Sequence, residues 1–330
     1  MAKHTLAALV AGVLIAASAA PALSATALRV TLQLPLESHL GQNLLLFKEE
    51  VEALSEGEVT VEIVDGAELS SDSELPEAVG SGRIEMGVAP LARYADEVPA
   101  VGVFAMPFLL DTQEKVRATV AHDSEVRRVL EEAIADTGAK VLWWQAYGST
   151  VLLSDGGPIA TPADMDGKTV RVFSRWLGEW VEAVGGAPRL TSGSEQLLAY
   201  ERGTVDVGMT GVSSVLARSL WDVMDTITRL DVAAIEFVVV VNTDFWEGLT
   251  EQEQLWINEA ATRAETSLRD AIAAIEEEAF AQAEANGMTI YDPNPEEVEA
   301  WREASRSVVD AWLEEAGALG RQVYEAARNF

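Results

Sequence analysis

Arg171 occupies a position in the sequence where a side chain can bind an acid group. It stands one residue before the end of a short apolar segment, residues 168–172, which the residue pattern predicts as a β-strand leading into a helix. A guanidinium group is a planar donor that grips a carboxylate or sulfonate through two parallel hydrogen bonds. The alternative is a side chain that extends from the strand end to a surface carboxylate. The local pattern alone favours this surface ion pair.

Two further polar residues stand at predicted strand ends. Gln33 ends the first predicted strand, residues 28–33, and the cleft residues of open α/β lobes gather at such ends. Ser174 follows the strand of Arg171 and can donate a hydrogen bond to a ligand from a helix N-terminus. The simple alternative for Ser174 is an N-cap that accepts from the helix backbone. The sequence favours neither role.

A charged residue and two tryptophans are the next candidates for a ligand site. Glu236 lies at the start of residues 235–241, a continuous apolar segment predicted as a strand. In a cleft, its carboxylate would accept from a hydroxyl or ammonium group of the ligand, but a salt bridge at the strand end is slightly favoured. Trp144 and Trp176 can wall a cleft by apolar contact, although core packing is the favoured role for both.

Recognisable catalytic and cofactor-binding motifs are missing from the sequence. Cysteine is absent, and the three histidines, His4, His39 and His122, lie far apart. There is no glycine-rich dinucleotide loop or Walker-type loop, and residues 211–215 lack the second glycine of a nucleophile elbow. Acidic residues are too numerous for one pair to stand out as a catalytic dyad. We therefore expect no enzyme, no cofactor and no metal site.

Length and charge describe an exported, acidic protein. The 330 residues suit two domains, and the 54 acidic and 23 basic residues give a formal net charge of −31. No basic patch is visible, which argues against a nucleic-acid partner. Residues 1–25 have the short polar start, the apolar run and the small residues of a secretory signal peptide. No later segment is apolar enough to span a membrane, so we expect a bacterial periplasmic protein.

Predicted strands and helices alternate as in an open α/β sheet. The pattern begins strand, helix (residues 39–54), strand, helix, strand, and it continues with a strand at 140–147 and a second strand-helix series from 151. Residues 250–286 contain neither proline nor glycine, and they predict one helix of about 55 Å, followed by a strand and two helices. No flexible linker separates the halves. We expect two lobes joined by sheet strands, with the long helix across both.

Several segments, in order along the chain, carry a resemblance to a known family. They are Gly66-Ala-Glu-Leu69 with Ser73-Glu-Leu75, Gly82-Arg-Ile-Glu-Met-Gly87, Val103-Phe-Ala-Met-Pro-Phe-Leu109, residues 158–171, Ser194-Glu195 and Gly203-Thr-Val-Asp206. Each segment is weak alone, and together they extend over almost the whole mature chain. With them, the chain resembles the periplasmic substrate-binding proteins of TRAP (tripartite ATP-independent periplasmic) transporters, the DctP-like family.

The resemblance implies a two-lobed α/β protein, a periplasmic-binding-protein fold, that closes on a small organic acid. Arg171 would pair with the ligand's carboxylate. We place lobe I at residues 26–146 with 236–276, lobe II at 147–235 with 277–330, and the hinge near residues 147 and 235. The implied partners are the small and large integral membrane subunits, which use an ion gradient and no ATP. A monomer is expected.

Departures from the family pattern fall at the implied site. Many members carry a second arginine where this chain has Val151, an aromatic residue where it has Gly193 and an asparagine where it has Thr210. We expect Thr210, with Gln33 and Ser174, to supply neutral hydrogen bonds to the ligand. Without the second arginine, a ligand with one acid group, a carboxylate or a sulfonate, alone or in a zwitterion, is favoured over a ligand with two.

Two other functions stay open from the sequence. A ligand-binding sensor component that feeds a receptor would carry the same features as a transporter subunit. A periplasmic enzyme is less favoured, and it would depend on carboxylates rather than on Arg171. The sequence therefore predicts the solute-binding subunit of a TRAP transporter, which captures a small organic acid.

Overall fold

The computed structural model describes residues 25–330, so the signal peptide expected at residues 1–25 lies outside the described residues except for Ala25. The strands are β1 (Thr26–Thr31), β2 (Val59–Val64), β3 (Met86–Pro90), β4 (Ala139–Ser154), β5 (Thr169–Val172), β6 (Ala187–Leu190), β7 (Val207–Gly211), β8 (Thr226–Thr228), β9 (Ala234–Asn242) and β10 (Thr289–Tyr291). The α-helices are α1 (His39–Leu54), α2 (Leu75–Gly80), α3 (Gln113–Thr119), α4 (Glu125–Ala135), α5 (Arg175–Ala183), α6 (Gln196–Glu201), α7 (Val212–Arg218), α8 (Thr243–Gly248), α9 (Glu251–Ala285), α10 (Pro295–Ala304), α11 (Arg306–Glu315) and α12 (Gly317–Arg328). Short 3-10 helices are Leu91–Tyr94, Pro99–Ala105, Pro162–Met165 and Leu220–Asp222.

The strands form a mixed sheet in the order β2-β1-β3-β9-β4-β7-β5-β6, with β8 beside β4 and β10 beside β8. β1 pairs in parallel with β2 and β3, and β5 pairs in parallel with β6 and β7. Antiparallel strands link the two parallel groups, because β9 pairs with β3 and β4, and the C-terminal part of β4 pairs with β7. Each parallel group is the centre of one lobe. The predicted two-lobed α/β fold is confirmed.

The linking strand β4 is continuous where the sequence predicts a break. The pattern predicts a strand at 140–147 and a new series from 151, whereas β4 is one strand of 16 residues. Its pairing with β9 is irregular between Ala146 and Gly148, where Gly148 adopts a φ of 107°. Glycine tolerates this backbone conformation, and a β-carbon there would collide with the carboxylate of Glu276. The apparent break in the pattern is therefore a β-bulge inside one strand.

The long helix predicted at residues 250–286 is α9, and it crosses both lobes. Thr250 begins it with a capping box, in which Thr250 accepts from the Glu253 N–H and the Glu253 carboxylate accepts from the Thr250 N–H. Its 35 residues extend over about 52 Å. It packs against α1 in the first lobe, against α7 in the second and against the linking strand β4. The helix therefore ties both lobes to the strands between them.

The last C-terminal helix returns to the first lobe. The sequence predicts two helices after the last strand, and the structure has three, α10 to α12. β10 pairs with β8 in the second lobe, but α12 packs against α4 and the 3-10 helix Pro99–Ala105 of the first. The boundaries placed from the sequence assign all of residues 277–330 to lobe II, whereas α12 contacts lobe I. Within residues 25–330, no helix has the length and apolar character needed to cross a membrane.

Candidate ligand-binding site

A cavity between the lobes lies at the C-terminal ends of parallel strands from both. The first lobe contributes residues at or after the ends of β1, β2 and β3, and the second contributes β5, β7 and the segments after β6 and β7. The linking strands β4 and β9 contribute Tyr147, Ile235 and Phe237. Such strand ends leave a crevice in an open α/β sheet. The lining residues are Gln33, Asp72, Pro90, Tyr147, Arg171, Phe173, Gly193, Gln196, Thr210, Ser214, Arg218, Ile235 and Phe237.

Arg171 is the buried cation of this cavity, with only 2% of its surface exposed. Its Nη1 donates to the Met209 carbonyl at 2.7 Å, and its Nε and Nη2 donate to the Thr191 carbonyl at 3.2 and 3.0 Å. All of these acceptors are backbone groups. A guanidinium has five N–H groups, so two are left for a ligand. Arg171 thus faces the cavity instead of forming the surface ion pair that the local pattern favours.

The electrostatic environment of Arg171 favours a bound anion. Burial lowers the pKa of Arg171. Tyr200 and the charge of Asp72 act in the opposite direction, and repulsion from Arg218 and Arg93 lowers the pKa further. Since a desolvated charge without a counter-ion is costly, an anion in the cavity would stabilise the guanidinium.

Gln33 and Thr210 face the same cavity. Gln33 is 7% exposed, and its Oε1 is buried without a hydrogen-bond partner in the described part of the chain. Gly193 lies against it, since an added β-carbon would stand 2.6 Å from Gln33 Oε1. A larger residue at position 193 would therefore displace this amide. The structure brings Arg171, Gln33 and Thr210 together at one cavity. Arg171 and Gln33 are singled out at predicted strand ends, and Thr210 by the family resemblance.

Ser174 and Glu236 line a neighbouring, mostly apolar cavity, which shares only Pro90, Phe173 and Ile235 with the first. The hydroxyl of Ser174 accepts from the Leu177 N–H at 3.5 Å as the N-cap of α5. The Glu236 carboxylate accepts from Arg269 through two hydrogen bonds, of 2.6 and 2.7 Å. Both side chains thus hold the structural partners that the sequence offered as alternatives to ligand binding.

The two tryptophans lie outside the lining of the cavity with Arg171. Trp144 is fully buried in the first lobe, where its Nε1 donates to Glu131 at 2.8 Å and its ring lies 5.7 Å from that of Phe104. Trp176 is 2% exposed and carries the guanidinium of Arg175 at 4.9 Å from its ring centroid. Both are core residues, the role that the sequence favours for them.

Other aromatic residues form the apolar wall of the cavity. Tyr147 and Phe237 come from the linking strands, and their ring centroids are 4.9 Å apart. Phe173 follows β5, and the guanidinium carbon of Arg171 lies 5.6 Å from the centroid of its ring. These rings keep water from the buried guanidinium, so that an ionic hydrogen bond there is stronger than in bulk solvent.

The sequence analysis did not identify four lining residues with polar side chains: Asp72, Gln196, Ser214 and Arg218. Asp72 follows β2 and pairs with Arg93 at 2.9 Å, a contact between segments that no local pattern predicts. Ser214 and Arg218 stand four residues apart on α7 and so share one face. That spacing is the signal that could have found them. Within residues 25–330, no cluster of three or more acidic or histidine side chains could hold a metal ion.

Known proteins share this architecture. DctP7 of Bordetella pertussis, an extracytoplasmic solute receptor binding pyroglutamic acid, superimposes with a TM-score of 0.87 at 20% identity, over 92% of this chain and 100% of that one. The C4-dicarboxylate-binding periplasmic protein DctP of Rhodobacter capsulatus is 26% identical over 282 residues, 84% of each chain. The ectoine-binding periplasmic protein TeaA of Halomonas elongata is 23% identical over 270 residues, 81% of this chain and 79% of TeaA.

The family of this chain follows from a sequence match that covers most of its length. Residues 32–315 match the DctP family, described as bacterial extracellular solute-binding protein, family 7. This range includes the strand of Arg171, both linking strands and the whole of α9. The resemblance drawn from the sequence motifs is confirmed, and the chain belongs to the DctP family of bacterial extracellular solute-binding proteins.

Proposed function

We propose that this protein is the periplasmic solute-binding subunit of a TRAP transporter and that it captures a small organic acid between its lobes. One observation carries the proposal: Arg171 is buried in an interlobe cavity, and its hydrogen bonds go to backbone carbonyl groups rather than to a carboxylate. The chain's membership of a solute-binding family supports it. We infer binding without catalysis.

Arg171 would hold the acid group through the two N–H groups that its backbone partners leave free. Gln33 presents a buried amide whose Oε1 is unpaired among the described residues, and Thr210 presents a hydroxyl. These neutral groups would orient the rest of the ligand, and a ligand hydroxyl or N–H would satisfy the Gln33 oxygen. Since a buried acceptor without a partner is destabilising, this pairing would add to both affinity and specificity.

Binding would favour the closed arrangement of the lobes. Residues of both lobes and of the linking strands line one cavity, so a ligand contacts all three only when the lobes are closed. A ligand shifts the equilibrium by its differential affinity for the closed form. The bend would occur in β4 and β9 near residues 147 and 235, beside the bulge at Gly148. The TRAP membrane subunits would then recognise the closed form.

A ligand screen on the mature protein, residues 26–330, tests the proposal. The protein is unfolded in guanidinium, dialysed and refolded, which removes any ligand retained from the cells. Its melting temperature is then followed across carboxylates, sulfonates and zwitterionic acids, with neutral sugars and amines as controls. A ligand at 100 times its Kd stabilises the folded state by about 2.7 kcal/mol. Acids alone should raise the melting temperature, and no response to any acid would overturn the proposal.

A further inference from the structure

The carboxylate of Glu276 joins the two lobes at the place where the chain bends between them. Glu276 lies on α9, and its Oε1 accepts from the Ser149 N–H of β4 at 2.8 Å. Its Oε2 accepts from Gln113 Nε2 at 2.6 Å. Gln113 begins α3 in the first lobe, and Ser149 follows the bulge at Gly148, where β4 enters the second lobe. This carboxylate therefore has one partner on each side of the hinge.

The bulge in β4 is packed directly against Glu276. Gly148 has a φ of 107°, and a β-carbon there would collide with the Glu276 carboxylate. One residue beyond Ser149, the Thr150 N–H donates to the Ala233 carbonyl at 2.9 Å, and the Ala233 N–H donates to the Thr150 hydroxyl at 3.0 Å. These bonds fix Ser149 to the segment that leads into β9. A bend of β4 and β9 at the hinge therefore moves Ser149 relative to α3 of the first lobe.

The charges around Glu276 do not neutralise it. Its two hydrogen bonds come from neutral groups, and no salt bridge within residues 25–330 includes it. Arg229 attracts the carboxylate, but its guanidinium is already shared between Glu277 at 3.4 Å and Asp292 at 3.5 Å. Asp231, which precedes β9, repels it. Burial is the largest effect, and it raises the pKa of Glu276 to about 7. The structure therefore holds, at its hinge, a carboxyl group that binds a proton near neutral pH.

We propose that closure of the lobes takes up a proton at Glu276 and that ligand affinity therefore depends on pH. The inference rests on the proposed function, because it requires lobes that close on a ligand. The proton comes from the solvent, and the bond between this proton and a carboxylate oxygen is the one covalent change. The hinge then favours capture of the ligand in acidic surroundings.

The direction of the effect follows from the two environments of the carboxyl group. An opening bend separates Ser149 from Gln113 and admits water to Glu276, which lets its pKa fall from about 7 toward the ordinary value of 4.5. The closed form thus binds the proton more tightly than the open form, and protonation stabilises closure. This contribution to ligand affinity is complete below pH 4.5 and is lost as pH rises through 7.

Isothermal titration calorimetry at pH 6 and pH 8 tests the inference. The probes are lactate, pyroglutamate and propane-1-sulfonate, which stay ionised over this interval, so that any proton uptake belongs to the protein. At pH 6, titrations in buffers of different ionisation enthalpy should show uptake of about half a proton or more, and Kd should be about fivefold or more lower than at pH 8. Glu276→Gln should bind with no uptake and with equal Kd at both pH values, because its amide does not titrate. Glu278→Gln, at an exposed position on the same helix, should follow the parent.

The outcomes separate this inference from the proposed function. An acid that binds the parent without proton uptake, or with the same uptake in Glu276→Gln, would overturn the proton linkage and leave the solute-binding function standing. If none of the three acids binds, small-angle X-ray scattering of the unliganded protein decides. The radius of gyration should be smaller at pH 6 than at pH 8 in the parent but not in Glu276→Gln. Equal radii in the parent would overturn the linkage, whereas the proposed function is tested by its own wider ligand screen.

Discussion

Asp72 and Ser192 are hydrogen-bonded from one lobe to the other, beside the cavity. Asp72 follows β2 in the first lobe, and Ser192 follows β6 in the second, with its hydroxyl donating to Asp72 Oδ1. Asp72 is 2% exposed, and Arg93 holds its other oxygen. The contact therefore joins a fixed carboxylate on one lobe to a short loop on the other. It stabilises the closed arrangement without any contribution from the ligand.

Ser192→Ala should weaken ligand binding by about fivefold, because one buried hydrogen bond contributes about 1 kcal/mol. The loss acts through the equilibrium between open and closed forms, since Ser192 does not line the cavity. Titration calorimetry gives the affinity, and small-angle X-ray scattering should give a larger radius of gyration for the unliganded variant. Ser267→Ala, on the exposed face of α9, is the control. Unchanged affinity and radius in Ser192→Ala would show that the contact does not hold the lobes closed.

Arg171→Ala should lower the affinity for the acid ligand by about 2–5 kcal/mol, the usual range for a buried, hydrogen-bonded charge pair that loses one partner. Arg171→Lys keeps the charge but not the planar fork, so its affinity should fall between those of the parent and Arg171→Ala. Arg189→Ala is a matched control, because Arg189 is the exposed residue in register with Arg171 on β6. Calorimetric Kd values that are equal in all four proteins would place the acid group elsewhere.

Local periodicity explains why much of the fold follows from the sequence. The helix at residues 39–54 and the long helix at 250–286 are specified by apolar spacing and by the absence of helix breakers, and both are present as α1 and α9. The break predicted near Gly148 is wrong, because a glycine is equally compatible with a turn between two strands and with a bulge inside one strand. Whether β4 continues is decided by its pairing with β9, which is a tertiary property.

The candidate site is predictable only where strand ends or the family resemblance specify it. Arg171, Gln33 and Thr210 meet because the carboxyl ends of parallel strands share one edge of a sheet. Glu236 also lies near a strand end, but its carboxylate accepts a hydrogen bond from Arg269, 33 residues away on α9. Arg218 belongs to a helix that no strand rule addresses. Which distant side chain contacts Glu236 or Arg218 is decided by the packing of the folded chain. The residue pattern around either position does not predict that contact.

Glu236→Ala should destabilise the protein by about 3–5 kcal/mol, because Arg269 is left buried without its partner. The two side chains are 2% and 8% exposed. The double variant Glu236→Leu with Arg269→Leu should be less destabilised than the single variant, since neither charge then lacks a partner. Urea unfolding midpoints measure both. A double variant as unstable as the single one would show that the pair does not act as a unit.

Ligand specificity distinguishes the structural role of Glu236, as partner of Arg269, from a role in ligand binding. With both carboxylate oxygens on Arg269, Glu236 has little left to offer an ammonium or hydroxyl group of the ligand. Glu236→Gln should therefore leave the affinity ratio between an amino acid and the corresponding plain acid unchanged, within about twofold. Calorimetry on glutamate and glutarate measures this ratio. A selective loss of the amino-bearing acid would restore Glu236 to the ligand site.

Glu276 should make stability fall as pH rises toward neutrality. Burial raises the pKa of Glu276 from 4.5 to about 7, and repulsion from Asp231 adds to the rise. The hydrogen bonds from the Ser149 N–H and from Gln113 lower the pKa, but they only partly offset these effects. The folded state thus binds a proton more tightly than the unfolded state. The resulting stabilisation is complete below pH 4.5 and is lost as pH rises through 7.

Glu276→Gln removes this titration and isolates it from the other carboxylates. Urea unfolding at pH 5 and pH 8 should show that the parent loses on the order of 2 kcal/mol more than the variant over that interval. A glutamine can still accept from the Ser149 N–H, which the Glu276 carboxylate does at 2.8 Å. Glu278→Gln, an exposed residue on the same helix, should follow the parent. Equal pH dependence in all three proteins would show that the Glu276 carboxyl titrates alike in the folded and unfolded chains, with its burial beside the Gly148 bulge relieved by motion of the linking strand.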